Sequence, residues 1–304
     1  MSSRSGMLVV DKPAGVTSHD VVQKVRRAMG CRAGHTGTLD PRATGVLLIC
    51  LGKATRLARF LQKQDKIYDC EIRLGWATDT YDADGEAVAE PVEVSLLDVE
   101  VVKEALGAFV GTIDQVPPAF SAKKIRGQPA YKRARRGEVV VHEPVPVTIY
   151  AIDDVSVDGS TIKCRTHCST GTYVRTLAHD AGVRLGYPAH LAELRRIRIG
   201  TFGLDPCVSW DDLETAGENT LWDNVLDAAE MFPDWPTVVL NDTGIAVVAN
   251  GGVIEPNGVA ERRRGSGADP NHGDWVRVLR PDGSLLAAAE LLPGGMFQPR
   301  VVIA

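Results

Sequence analysis

The octapeptide GHTGTLDP, Gly34 to Pro41, crowds two glycines and two threonines around one histidine and one aspartate. Asp40 before Pro41 reads as a helix N-cap, since aspartate accepts from first-turn N–H groups and proline suits the first helical position. The same carboxylate also suits chemistry. Glycines admit the close approach of a ligand. A lone aspartate in such a pocket can act as a nucleophile if an arginine keeps it ionised. The local sequence leaves both readings open.

Other chemistries fit poorly. A phosphate-binding loop needs four residues between its first glycine and Gly-Lys, then Ser or Thr. Here six separate Gly45 from Gly52-Lys53, and Ala54 follows. Ser18, His19 and Asp20 are consecutive, so their side chains diverge and cannot relay a proton in line. Ser18 reads instead as the cap of a helix with Asp20 in its first turn. There is no HExxH and no Gly-x-Gly-x-x-Gly after a strand. Cys164 and Cys168, around His167, are the one close cysteine pair. They read as half a metal site or as one face of a strand with Ile162 and Thr166. Without a second close pair, the strand face is the better reading.

The chain has 304 residues, 44% apolar and 24% charged, room for one large domain and a small one. No stretch approaches the ~18 apolar residues of a membrane span, and the N-terminal apolar run is too short for a secretory signal. A cytoplasmic protein is expected. The net charge of −5 rules out a protein that is basic all over, but charge is segregated. SAKKIRGQPAYKRARR, Ser121 to Arg136, carries Lys123, Lys124, Arg126, Lys132, Arg133, Arg135 and Arg136 and no acid, and RRIRIG adds Arg195, Arg196 and Arg198. Such segregation suits a local polyanion site or a solvated helix face.

The elements that must position these residues follow from periodicity. MLVV is a short strand, and HDVVQKVRRAM a helix with Val21, Val22, Val25 and Met29 inward. Asp40-Pro41 starts one helical turn, ended by Gly45. VLLICL is a strand buried on both faces, and KATRLARFLQK an amphipathic helix with Ala54, Leu57, Ala58 and Leu61 inward. KIYDCEIRLG alternates as a strand, with Tyr68, Cys70, Ile72 and Leu74 on one side. VPVTIYAIDDV and TIKCRTHCS are strands, GTYVRTLAHDAGVRLG a helix, and LAELRRIRIGTF a strand. A boundary falls near Pro233–Pro236. Beyond it come a short helix, a hairpin around Pro281-Asp282-Gly283 and a closing strand. ERRRGSGADPNHGD, Glu261 to Asp274, reads as a loop.

Taken together, GHTGTLDPRATGVLLICLGKATR, LVVDKPAGVTSHDVV, KIYDCEIRLGWATDTYDADGE, PPAFSAKKIRGQPAYKRARRGE, STGTYVRTLAHDAG and AHLAELRRIRIG resemble, in order, the blocks of the tRNA pseudouridine synthase B family, whose members convert uridine 55 of the tRNA T-loop. The resemblance covers most of residues 7 to 200. It implies an α+β fold: a large mixed, mainly antiparallel sheet flanked by helices over 1–232, with a basic RNA-clasping insertion at about 117–143. A small β-rich domain at 233–304 resembles the PUA module of pseudouridine synthases and archaeosine transglycosylases. It also implies roles. Asp40 matches the catalytic aspartate, Tyr68 the tyrosine that stacks on the target base, and Arg175 the arginine that pairs with the aspartate. Leu194 matches an apolar wall of the uracil pocket, and His35 a histidine that enters the space left by the flipped nucleotide. Lys12 and Pro13 lie in the block that shapes the floor, and Tyr173 joins the substrate-binding group. Isomerisation neither oxidises nor adds a group, so no cofactor or metal is implied. The partner is the T-arm of tRNA, bound through phosphates by the basic insertion without a guide RNA or a membrane, by a monomer. An RNA-folding helper, for which binding matters more than chemistry, is the alternative.

Overall fold

The computed structural model describes residues 4–120, 142–265 and 271–303, with 124, 125, 128–130, 133, 136 and 138; of 124, 125, 128 and 129 it describes the backbone alone. The chain begins with β1 (Gly6–Lys12), α1 (Ser18–Met29), β2 (Ala33–His35) and β3 (Thr44–Leu51). A 3₁₀ turn and the short α2 (Ala58–Leu61) lead to β4 (Lys66–Leu74), α3 (Val99–Gly107) and β5 (Gly111–Gln115). A two-residue ribbon, β6 (Lys124–Ile125) and β7 (Gln128–Pro129), precedes β8 (Val145–Asp158), β9 (Thr161–Cys168), α4 (Val174–Leu185) and β10 (Ala189–Ile199). Two short helices, α5 (Asp212–Thr215) and α6 (Glu218–Asp223), then reach β11 (Leu226–Asp227).

Nine of these strands form one sheet in the order β11-β1-β3-β10-β4-β9-β8-β5, with β2 paired to β3. Every pairing is antiparallel except β3 with β10, which run parallel and meet at only two positions, Arg195↔Thr44 and Arg196↔Gly45. The sheet is therefore mixed and mainly antiparallel, as expected. A second, five-stranded sheet is built from β12 (Thr237–Leu240), β13 (Val259–Arg263), β14 (Trp275–Leu279), β15 (Leu285–Leu291) and β16 (Phe297–Val302), with α7 (Asp242–Ala249) packed on it.

The continuous apolar run of β3 has a direct cause. Leu47, Ile49 and Leu51 pack toward α1, while Val46, Leu48 and Cys50 face the second sheet. Phe60, Phe232, Trp235 and Trp275 fill the joint between the two sheets, with Phe60 and Trp275 centroids 4.5 Å apart. β4 alternates, burying Tyr68, Cys70, Ile72 and Leu74 against α3 and α4. Ile162, Cys164, Thr166 and Cys168 form one buried face of β9, so the strand reading of the cysteine pair holds.

Four local expectations are corrected. Thr17, not Ser18, caps α1. Its hydroxyl accepts from Asp20 N and the Asp20 carboxylate accepts from Thr17 N, a reciprocal box that leaves Ser18 free to turn inward. Residues 52–57 form a 3₁₀ turn rather than the first half of an α-helix. Ala54 and Leu57, three apart, are both buried there, the spacing that a three-residue turn aligns. Glu261–Arg263 belong to β13, an edge strand whose charged side chains stay in water. No helix starts at Asp40. The loop passes through a single turn, Ala43 N to Asp40 O, straight into β3, and Gly45 lies inside that strand.

Candidate active site

The cleft opens where β3 and β10 part. Asp40 sits on the loop entering β3, Arg196 and Leu194 on β10, Tyr68 on the neighbouring β4, and Arg175 in the first turn of α4. These five residues line one cleft of about 800 Å³. The Asp40 loop is tied down from three sides. Ser18 Oγ accepts from Leu39 N at 2.8 Å and donates to Leu39 O at 3.1 Å. Lys12 Nζ donates to Pro13 O, Val16 O and Pro41 O at 2.8, 2.8 and 3.0 Å. Arg196, 1% exposed, donates from Nε to Val46 O at 2.7 Å and from Nη2 to Gly37 O at 3.1 Å. Backbone groups of a loop with no regular structure thereby find side-chain partners.

Arg175 bridges two carboxylates. Its Nε lies 3.1 Å from Asp40 Oδ2, its Nη1 lies 3.1 Å from Asp82 Oδ2, and Nη2 donates to Phe120 O at 3.0 Å. The Arg175 side chain is 8% exposed, whereas the Asp40 side chain, which lines the cleft, is 41% exposed. Protein crowding around Asp40 raises its pKa above the ordinary carboxylate value. Arg175 opposes that shift, Asp82 and Asp84 add to it, and Lys12 opposes it. Burial also raises the Tyr68 hydroxyl, with Arg196 beside it pulling the other way. Lys12 is brought down to about 8, chiefly by burial.

The geometry gathers Asp40, Tyr68, Arg175 and Leu194 in one place, and Tyr173 lines the same cleft. The Tyr173 backbone is pinned by the Gln115 amide at 2.8 and 3.1 Å. Lys12 supports the loop from within the protein, wholly buried. His35 stands one residue outside the lining, its Nδ1 accepting from Gly37 N at 3.3 Å. Burial lowers its pKa, and Arg196 adds to that. Of the basic segment, Lys123, Arg126, Lys132 and Arg135 lie outside the described residues, as does the side chain of Lys124. Arg133 pairs with Glu138 at 2.7 Å, and Arg136 is exposed.

Sequence reasoning missed three residues here. Arg196 belongs in sequence to a basic cluster, but it is buried, whereas Arg195 pairs with Asp11 at 2.7 Å with its side chain still partly exposed and Arg198 is exposed. Asp82 was one acid among many in an acidic loop. Lys66 lines the cleft two residues before Tyr68 and on the same face of β4. The alternation of β4 was the signal that could have found Lys66.

Comparison with known proteins meets this geometry. Residues 24–174 match the model of the TruB family pseudouridylate synthase N-terminal domain, and residues 175–231 that of the tRNA pseudouridylate synthase B C-terminal domain. The tRNA pseudouridine synthase B of Solibacter usitatus is 41% identical over 304 residues, covering 98% of this chain and 99% of the relative. The chain belongs to the tRNA pseudouridine synthase B family. The Thermobifida fusca member is 42% identical and covers 98% of both chains. Among solved structures, the pseudouridine synthase fold recurs in a Cbf5-Nop10-Gar1 complex, at a TM-score of 0.75 and 24% identity, over 99% of this chain and 86% of that one. An H/ACA RNP bound to a substrate RNA matches at 0.74 and 24%, over 98% and 85%. Both likenesses concern the fold. This family member carries its second sheet, like the first, within the matched length.

Proposed function

We propose that the chain isomerises uridine 55 in the T-loop of tRNA to pseudouridine, with Asp40 as the group that attacks the sugar or removes its proton. The observation that carries this reading is the Arg175 bridge, which holds the Asp40 carboxylate at 3.1 Å on the floor of an open cleft beside Tyr68. The target base must leave its stack to reach this depth. Tyr68 offers it an aromatic face, Leu194 an apolar wall, and Tyr173 and His35 the rim. Arg175 opposes the effect of burial, so that Asp40 reacts as a carboxylate.

The curated relatives, matched end to end and named tRNA pseudouridine synthase B, support tRNA as the substrate. Shape recognition of the T-arm falls to the basic segment 117–143 through phosphates, and to residues 233–304 as a PUA-like module beside the catalytic domain 1–232. The protein acts in the cytoplasm as a monomer and without a guide RNA. Among the described residues no helix is long and apolar enough to cross a membrane.

The test is release of tritium from C5 of uridine in an unmodified tRNA transcript, because formation of the C5–C1′ bond expels that hydrogen. Wild type should release it without free uracil, and Asp40→Asn should not. Tight tRNA binding with no release by either protein would refute the proposal.

A further inference from the structure

Two buried cations flank Tyr68 and have no carboxylate at ion-pairing distance among the described residues. Lys66 is 6% exposed and Arg196 is 1% exposed. Among the described residues Lys66 Nζ donates only to carbonyls, Gln62 O at 2.8 Å and Gln64 O at 2.5 Å. Arg196 likewise donates to Val46 O, Gly37 O and, at 3.5 Å, Thr38 O, and stands beside the Tyr68 hydroxyl. Lys66 and Tyr68 share one face of β4, and Arg196 pairs with Tyr68 across to β10. Both cations line the cleft. Carbonyl dipoles ease the burial of a cation but leave its net charge in place. The wall behind Tyr68 is thus positive, although the nearby Asp40 is the only negative group the proposed reaction needs.

We infer that Lys66 and Arg196 stabilise the negative charge on the uracil ring while it is detached from the sugar. The inference rests on the proposed function and deepens it. When the C1′–N1 bond breaks, its electron pair stays on N1 and spreads to O2 and O4. On the sugar, C1′ either gains an ester bond from an Asp40 oxygen or, if Asp40 takes the C2′ proton, forms a double bond to C2′. Either way the departing base is an anion. The ring turns, C5 donates its pair to C1′, and Asp40 leaves or returns its proton. Loss of the C5 proton and gain of a proton at N1 complete the isomer, with no oxidant or reductant. Between the first and third steps a stacked anion lies against Tyr68, and the two cations behind it favour that state over the neutral, attached base.

A merely structural role predicts a different pattern from an electrostatic one. Fluorine at C5 withdraws electron density and makes uracil a better leaving group, which needs less help. Single-turnover consumption of the target nucleoside, read by chromatography of RNA digests, is compared for transcripts carrying uridine or 5-fluorouridine at the target; fluorine leaves no C5 proton to lose, so that base is followed to its C5–C1′ adduct. Lys66→Met and Lys66→Gln are made together, so that one neutral variant retains a polar group for folding, and circular dichroism and RNA affinity confirm an intact fold. Each should lose on the order of ten- to a hundredfold in rate on uridine and several-fold less on 5-fluorouridine. Arg196→Lys, which keeps charge but changes hydrogen-bond geometry, should lose equally on both. Equal losses for the Lys66 variants on the two substrates, or a loss confined to RNA affinity, would overturn the inference. Failure of the wild type to convert either transcript would instead sink the proposed function itself.

Discussion

Replacing Gly45 by alanine tests whether the β3–β10 seam sets the active-site geometry. Gly45 has φ +101°, and a Cβ placed there would lie 2.1 Å from Arg196 O and 2.9 Å from Arg196 C and N. All three are backbone atoms of the neighbouring strand, so no side-chain rotation relieves the clash. The strands must part by about 1 Å to restore contact distance. Strain in this backbone region costs about 1–2 kcal/mol, and overpacking a fixed neighbour about 1–3 kcal/mol more. The sum, about 2–5 kcal/mol, should appear as a lower urea midpoint at unchanged slope. The same displacement moves Arg196, and with it the carbonyls of Gly37 and Val46 on either side of Asp40. A 1 Å misplacement can cost on the order of a hundredfold in rate, read by single-turnover tritium release. Gly30→Ala is the control. It has φ +58° at the end of α1 with nothing within 4 Å of the added carbon, so only the strain of about 1–2 kcal/mol applies, with wild-type rate per folded molecule. If Gly45→Ala is no less stable than Gly30→Ala and equally active, the seam does not set the site.

Ser18→Ala removes both hydrogen bonds to Leu39 and should cost about 1–3 kcal/mol with a rate loss near tenfold. Thr17→Ala, which removes the cap one residue earlier, should cost about 1 kcal/mol and leave turnover unchanged. Asp40 has a raised pKa from burial, so its folded form holds a proton more tightly than the unfolded chain does. That stability is present below the unfolded value and is lost as pH rises through the folded one. Asp40→Asn should therefore melt no lower than wild type at pH 7, while the wild type's rate falls in acid with a midpoint above that of an ordinary carboxylate. Asp82→Asn leaves Arg175 with one ionised partner instead of two. Its RNA affinity should hold while the rate drops, a split that single-turnover kinetics at saturating RNA would show. Phe60→Ala empties the aromatic joint between the sheets and should cost about 3–5 kcal/mol, measured by urea unfolding.

Much of the fold was legible because its signals are periodic. Alternation in KIYDCEIRLG placed Tyr68 on the buried face of β4, and the unbroken VLLICL announced a strand covered on both sides. What escaped was set by contacts distant in sequence. Ser18 looked like a cap because its immediate neighbours permit one, but the partner that claims it, Leu39, lies 21 residues away. Asp40 looked like an N-cap for the same reason. A proline after an aspartate satisfies the local rule for a helix start, but the loop is instead tied to Lys12, Ser18 and Arg196 and enters β3 at Thr44. Arg196 read as surface charge because arginine is rarely buried. Its burial depends on carbonyls from residues 37 and 46, about 150 positions earlier.

Those carbonyls explain why the site lies where it does. An antiparallel ladder satisfies its backbone groups along its full length, whereas β3 and β10 run parallel for two residues and then diverge. Divergence creates the cleft, and it also strips ladder partners from the chain entering β3. A buried carbonyl without a donor is costly. One guanidinium, reaching from β10 at the register position opposite Gly45, supplies donors to Gly37 O and Val46 O together. The cleft therefore brings its own cation. A fully hydrogen-bonded wall could have been built with neutral amides, but none would carry a positive field to the face of Tyr68. Arginine at position 196 meets the backbone demand and the electrostatic one with the same atoms, which is why Arg196→Lys and the Lys66 variants should separate the two.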